Sequence, residues 1–259
     1  SVTSIGDYAF EKCSSLAEIE IPFSVKVIGD SAFDSTALET VFIPQQVEEI
    51  GAGAFTKCAN LTDINVDAKN RNYKSYNGVL YSGDYAQLLC CPPAKSGAYT
   101  VYSAAEKIAD DAFIGCDKLT VIEIPDSVTE ISASAFNGCA DDLVIKCSCD
   151  SIAVDYAAKY GIDCEITKHN GNKVWNVVKE AGCEDDGEKQ QVCDACGYVF
   201  DTEVIPALGH SYDAGVITKA ATCEADGVKT YRCQNEGCYK AYTEVIPALG
   251  HIMDNGITL

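Results

Sequence analysis

The chain holds 259 residues, 47% of them hydrophobic, and carries 39 acidic against 19 basic side chains, a net charge of -20. Such an excess of carboxylates is repelled by nucleic-acid phosphates and by anionic membrane surfaces, so neither is expected as a partner. The length exceeds what one compact core usually serves, which points to two units or an elongated array.

No apolar run approaches the ~20 residues that a bilayer span requires, so no direct membrane insertion is expected. No leader-like segment opens the sequence, which places any export or anchoring signal outside it. Fifteen cysteines is an odd number, so they cannot all pair within the chain. Their spacing must separate core thiols from disulfides and metal ligands.

From the N-terminus one phrase recurs: VTSIGDYAFEKC, VKVIGDSAF, VEEIGAGAFTKC, AEKIADDAFIGC and VTEISASAFNGC. In each copy an isoleucine (Ile5, Ile28, Ile50, Ile108, Ile131) precedes a phenylalanine (Phe10, Phe33, Phe55, Phe113, Phe136) by five residues, and the successive steps are 23, 22, 58 and 23. Four copies run into LAEIEIP (16–22), LETVFIP (38–44), LTDINV (61–66) and LTVIEIP (119–125), whose alternating apolar positions predict short strands. A unit of about 22 residues has too little apolar surface to fold alone, so each must be covered by the next, and a solenoid results.

The combination I-G-x-x-A-F-x-x-C plus L-x-x-I-x-I-P resembles the BspA-like leucine-rich repeats of bacterial surface proteins over about 1–167. The resemblance implies a mostly β, α/β-type repeat protein built as a right-handed leucine-rich-repeat solenoid. It also implies export and a place at the bacterial cell surface.

The 58-residue step holds an insertion of about one and a half repeats, with a boundary at about 67–102. Asn77-Gly78 before VLY, followed by the apolar run AQLLCC, predicts a β-hairpin lying on the solenoid. At the far end, Ile152, Tyr156 and Tyr160 have helical spacing and Gly161 supplies a stop, so a closing helix is expected over about 151–161. Within the repeats, Cys13, Cys58, Cys116 and Cys139 follow the phenylalanine by three residues, with Thr36 at that place in the second copy. Buried thiols suit this ladder, because free cysteine is among the most buried residue types. Cys147 aligns with the inward Ile124 and reads the same way. Cys149 and Cys164 flank the helix at a spacing open to a disulfide, and the vicinal Cys90-Cys91 should divide between one buried and one exposed side chain.

Candidate partner-binding residues lie on two surfaces. Glu18, Glu20, Glu39, Phe42, Asp63 and Glu123 face outward on the predicted strands, an acidic face with one aromatic that is either merely solvated or a docking surface. Tyr73, Tyr76, Tyr81 and Tyr85 crowd the insertion, either as interface rings or as packing of the hairpin onto the repeats.

Beyond residue 168 the pattern changes. His169, His210 and His251 are spaced by 41, and the nonapeptide TEVIPALGH occurs at 202–210 and again at 243–251. Two modules follow, about 168–210 and 211–259, expected as small β-rich Cys/His units. Each offers three cysteines and one histidine: Cys183, Cys193, Cys196 and His210, then Cys223, Cys233, Cys238 and His251, with the histidine that ends each module chosen over the one that starts it because it sits in the duplicated nonapeptide.

A C-x2–4-C turn brings two thiolates to one tetrahedral Zn²⁺, and modules this small and polar usually require such a staple, so one structural zinc per module is the expected cofactor. Disulfides, with one thiol left over in each module, are the competing assignment. A hairpin pairing 228–233 with 239–247 puts Cys223 and His251 some 15–20 Å from Cys233 and Cys238 unless the chain bends back. The modules resemble short A-T-C…C-x-x-C-G…I-P-A-x-G-H repeats appended to surface proteins of gut bacteria.

No H-E-x-x-H, G-x-S-x-G or Gly-rich phosphate loop is present, so a non-enzyme is expected. The leading expectation is an exported surface protein, monomeric, whose repeats bind an extracellular protein or glycoprotein as an adhesin would. A purely structural stalk is the alternative, and a hydrolase using the tail metal is the weakest reading.

Overall fold

The fold comes from a computed structural model, in which residues 2–251 are described. Two compact units divide between Gly171 and Asn172.

In the first unit, equivalent residues of successive repeats stack. The short strands Ser4–Ile5, Val27–Ile28 and Glu49–Ile50 pair in parallel with Ile5, Ile28 and Ile50 in register, and Leu88, Ile108 and Ile131 continue that relation further along. A second ladder pairs Thr40–Ile43 with Asp63–Val66, then Gly97–Thr100 with Leu119–Glu123, Val144–Ser148 and Asp163–Lys168. The first expected member, LAEIEIP, forms no regular strand. It lies at the open end of the ladder, where the Glu39 N–H to Ala17 carbonyl bond of 3.2 Å is the link to its neighbour.

The phenylalanines form the expected interior column. Phe10, Phe33 and Phe55 stack with ring centroids 5.4 and 5.6 Å apart and planes within 2°. Phe113 stacks on Phe136 at 4.8 Å, and Tyr156 of the helix closes that end against Phe136. Phe33, Phe55 and Phe113 are fully buried, while Phe10, covered on one side, is half-buried.

What turns the chain between ladders is a backbone feature that hydrophobic periodicity does not reveal. The third residue after the isoleucine (Tyr8, Ser31, Gly53, Asp111) and the seventh (Lys12, Ser35, Lys57, Gly115, Gly138) have φ between 50° and 71°. With a left-handed residue at every fourth position of this turn, every second N–H points at the next coil: Tyr8 to Asp30, Phe10 to Ala32 and Lys12 to Asp34, each at 2.8 Å. The glycines before Cys116 and Cys139 were the readable trace of this requirement. The I-G-D phrase works alongside it, since the Asp7 carboxylate accepts from Asp30 N–H at 2.9 Å and the Asp30 carboxylate from Ala52 N–H at 2.8 Å. A Cβ on Gly51 would lie 2.4 Å from the Asp30 nitrogen, so the two coils can approach only over glycine.

The cysteine ladder lies inward as expected. Cys58 donates its S–H to the Phe33 carbonyl at 3.1 Å and Cys139 to the Phe113 carbonyl at 3.3 Å, with Cys58 also touching Thr36 Oγ1 at 3.2 Å. Burial pushes the Cys58 thiol pKa up. Cys13 is exposed on the end coil, and Cys91 is buried beside a half-buried Cys90. The Cys164 sulfur lies 3.5 Å from that of Cys147, across adjacent parallel strands, so Cys164 meets Cys147 rather than Cys149.

The insertion is more than a hairpin. Tyr73–Tyr76 and Val79–Ser82 pair around Asn77 (φ 49°) and Gly78 (φ 78°), the two left-handed residues of a tight hairpin turn. Then Gln87–Cys90 pairs antiparallel with Val79–Ser82 and parallel with Lys107–Ile108, so residues 87–102 form a shortened coil. Cys91 takes the place of a phenylalanine there, its N–H bonded to the Ala112 carbonyl at 2.6 Å. The hairpin tip covers the edge of Asp63–Val66, with Ile64 N–H donating to the Gly78 carbonyl at 2.7 Å.

The helix runs Ile152–Tyr160, N-capped by the Ser151 hydroxyl and ended by Gly161 at φ 71°. Its buried residues are Ala153, Tyr156 and Ala157, whereas Ile152 and Tyr160, expected inward, are 37% and 40% exposed. Small alanines let the helix approach the last coil closely, which turns the larger flanking side chains to the rim. The strand Asp163–Lys168 then adds to the sheet edge.

The second unit contains two three-stranded antiparallel sheets. One joins Lys173–Lys179, Gly187–Cys193 and Val199–Ile205. The other joins Val216–Lys219, Gly227–Arg232 and Ala241–Ile246.

Candidate metal centre and interaction faces

The hairpin expected between 228–233 and 239–247 is present, with Tyr231 opposite Tyr242 and the C-x4-C pair at its turn. Its consequence is a regrouping of ligands. Cys223 and His251 stand at the opposite end, where Gly250 N–H donates to the Cys223 carbonyl at 3.1 Å. Within this unit Cys183, His210, Cys233 and Cys238 converge, their ligating atoms all within 4.8 Å of one another. The first module therefore lends its first cysteine, Cys183, and its terminal histidine to the Cys-x4-Cys turn of the second. Cys193, buried, and Cys196, exposed, are not part of this set, so the expected grouping of Cys183 and His210 with them is corrected. The expected grouping of Cys233 and Cys238 with Cys223 and His251 fails for the same reason. A hairpin holds its turn and its open end a strand length apart, and the next module's turn packs on that open end instead.

The spacing fits a tetrahedral ion. With metal–sulfur bonds near 2.3 Å and metal–nitrogen bonds near 2.05 Å, tetrahedral edges are roughly 3.8 Å between sulfurs and 3.6 Å between sulfur and nitrogen. The Cys183 and Cys233 sulfurs are 3.8 Å apart, and the Cys238 sulfur is 3.4 Å from His210 Nδ1. The surrounding groups orient these ligands. Glu184 holds the other ring nitrogen, Nε2, at 3.1 Å and is itself paired with Lys240 at 3.2 Å. Asn235 Nδ2 donates to the Cys183 sulfur at 3.2 Å and to the Gly209 carbonyl at 2.8 Å. A carboxylate on the non-ligating nitrogen of a ligand histidine fixes its tautomer and raises its basicity.

Burial pushes the Cys233 thiol up, but N–H donors from Asn235 and Ser211 together with His210 outweigh it and bring its pKa down to about 6. His210 is raised to about 9, first by its hydrogen bond with Cys233 and then by Glu184. Three sulfurs and one imidazole would fill the four positions of a tetrahedral ion, the donor set of a structural zinc site.

The partner candidates divide sharply. Tyr81 is fully buried: its hydroxyl meets the Tyr99 hydroxyl at 2.7 Å and accepts from Tyr102 N–H at 3.1 Å, and burial raises its pKa to about 12. It is core, so the packing alternative holds for Tyr81 and its place among the partner-binding candidates is corrected. Tyr73 is pinned through its hydroxyl to Ile50 N–H at 2.9 Å, and Tyr76 and Tyr85 pack half-buried against Tyr102 at 4.9 and 4.5 Å. The rings fix the insertion to the coils. Asp63 is engaged by Lys95 at 3.4 Å, and Glu123 joins a cross-strand row with Thr100, Lys146 and Glu165.

Glu18, Glu20 and Glu39 remain exposed, with Phe42 46% exposed beside them. Sequence patterning passed over Phe23, 65% exposed just after Pro22. Its only signal was an aromatic outside the repeating phrase.

Stacked parallel coils with an inward isoleucine, phenylalanine and leucine set define a leucine-rich-repeat solenoid. Residues 1–77 and 98–157 match the BspA type leucine rich repeat region in six copies, and the chain belongs to that family. No curated protein matches it. Among solved structures it is similar to a leucine-rich repeat protein from Eubacterium ventriosum, with 31% identity and a TM-score of 0.52 over 57% of this chain and 40% of that one. It is also similar to a leucine rich cell surface protein from Faecalibacterium prausnitzii, with 34% identity and a TM-score of 0.50 over 56% and 38%. A third likeness is to the pneumococcal vaccine antigen PcpA, with 25% identity and a TM-score of 0.50 over 56% and 39%. The chain thus spans about two fifths of the length of each.

Proposed function

We propose that this is an exported bacterial cell-surface protein whose solenoid binds an extracellular protein or glycoprotein, while residues 172–251 form a metal-clasped spacer. The observation that carries the binding reading is the face holding Glu18, Glu20, Glu39 and Phe42. There a large aromatic ring stands half in water on the strand Thr40–Ile43, with exposed carboxylates at Glu39 just before it and at Glu18 and Glu20 on the preceding coil. An exposed aromatic on a rigid sheet offers contact area at little entropic cost, and the carboxylates favour a basic or polar partner patch.

The spacer reading rests on the Cys183, His210, Cys233 and Cys238 set, for which Zn²⁺ is the fitting ion. A zinc there joins consecutive modules instead of stapling each one internally. The cell-surface placement is supported by the named F. prausnitzii relative and by family membership. The closed ligand shell favours binding over catalysis.

The test is a binding panel of extracellular matrix and host-surface proteins against the whole chain and against Phe42→Ala and Glu39→Lys. Loss of a specific signal in both variants, with unchanged thermal unfolding, supports the reading. A panel silent for the parent chain favours a structural stalk.

A further inference from the structure

The second module repeats, contact for contact, the half of the metal centre that the first module contributes. Cys183 is placed by two backbone bonds, Leu208 N–H to the Gly182 carbonyl at 2.8 Å and Gly209 N–H to the Cys183 carbonyl at 3.0 Å. The equivalents are Leu249 N–H to Thr222 at 2.9 Å and Gly250 N–H to Cys223 at 3.1 Å. Ala207 N–H donates to the Asp186 carboxylate at 2.8 Å, and Ala248 N–H to Asp226 at 2.8 Å. His210 Nε2 lies 3.1 Å from Glu184, and His251 Nε2 lies 3.2 Å from Glu224. The exposure is what differs. The His210 side chain is 19% exposed and Cys183 is half-buried under the neighbouring turn, whereas the His251 side chain is 63% exposed and Cys223 is open to solvent.

We propose that Cys223 and His251, oriented by Glu224, are a preformed half of a further Zn²⁺ site, whose other two ligands are the thiolates of a C-x2–4-C hairpin turn belonging to another module of this kind. The proposal rests on the zinc reading of the Cys183 set. On closure each thiol releases its proton to solvent as a metal–sulfur bond forms, so no oxidant is involved and disulfides are not part of the joint. Modules of this design then concatenate head to tail through metal. Each hands its first cysteine and its terminal histidine to the next.

The probe is a synthetic peptide copying Val228–Ile246, which carries the Cys-x4-Cys turn, added to the full chain with Co²⁺ as the spectroscopic substitute for zinc. First, the tetrahedral thiolate absorption of the cobalt-loaded chain is compared with that of Cys183→Ser. A drop in the variant shows metal held by the Cys183 set, and identical spectra overturn both the zinc reading and this proposal. Second, peptide plus one further equivalent of Co²⁺ is expected to add tetrahedral absorption of the three-sulfur, one-nitrogen type. That increment disappears in Cys223→Ser and in His251→Ala, and Glu224→Gln weakens it by ~10–100-fold. An increment of equal size in Cys223→Ser, or none in the parent chain although the Cys183 difference is present, overturns the half-site while leaving the zinc reading standing.

Discussion

The sulfurs of Cys183 and Cys233, fifty residues apart in different modules, lie 3.8 Å from each other. That matches the edge of a tetrahedron of ligands around an ion, so on the proposed zinc reading the joint between modules is where removing metal acts.

Chelation therefore acts selectively. Treating the chain with a strong chelator is expected to open residues 172–251 to protease while the repeats stay resistant, because the apolar clusters of the coils include no metal ligand of the Cys183 set. Cys233→Ser reproduces the effect without chelator. Limited proteolysis read by mass spectrometry checks both, and simultaneous cleavage of both units would count against the assignment.

Truncation along the phenylalanine column separates interior from end coils. Phe33→Ala removes a ring sandwiched between Phe10 and Phe55 and is expected to cost about 3–5 kcal/mol. Phe10→Ala, open on one side, costs less than half as much. Urea unfolding midpoints measure the difference.

Lys57 adopts φ 54° in a turn that its counterparts Gly115 and Gly138 occupy without strain. Lys57→Gly is expected to stabilise the unit by up to about 1 kcal/mol, against the usual destabilisation by glycine. Thermal unfolding of the variant beside Ser35→Gly is the check.

Tyr81 gives the repeats a basic limit. Its pKa is raised by burial from 10 to about 12, so between those pH values the folded chain keeps a proton that the unfolded chain has released. Stability contributed by this group is complete below pH 10 and falls as pH climbs, by up to about 3 kcal/mol. Tyr81→Phe is expected to cost about 1 kcal/mol at neutral pH, through the lost bonds to Tyr99 and Tyr102, yet to show a shallower decline above pH 10. Denaturant titrations of both proteins at pH 8 and pH 11 distinguish these slopes.

The cysteine ladder predicts a labelling order. Iodoacetamide applied to the native chain is expected to modify Cys13 quickly and to spare Cys58, Cys91 and Cys116 until denaturant is added. Peptide mapping reads the result directly.

The coils were legible in the sequence because a solenoid is local in one respect: each repeat meets only its neighbours, so the same inward positions recur and the period announces itself. Ile5 through Ile131, the phenylalanine column, the thiol ladder, the Asn77-Gly78 hairpin and the Gly161 helix stop all follow from that rule or from backbone chemistry that a single residue enforces. The left-handed turns were only half visible, through Gly115 and Gly138, since Tyr8 and Lys57 carry no mark of the conformation that neighbouring coils impose.

The metal ligands show where local rules stop. Spacing alone identified Cys183, His210, Cys233 and Cys238 as ligand candidates, but it assigned them within modules, because sequence proximity is a poor guide to which end of a hairpin a residue reaches. Which cysteine meets which histidine, like the burial of Tyr81, depends on how rigid strands place distant atoms. Only the folded chain fixes those distances.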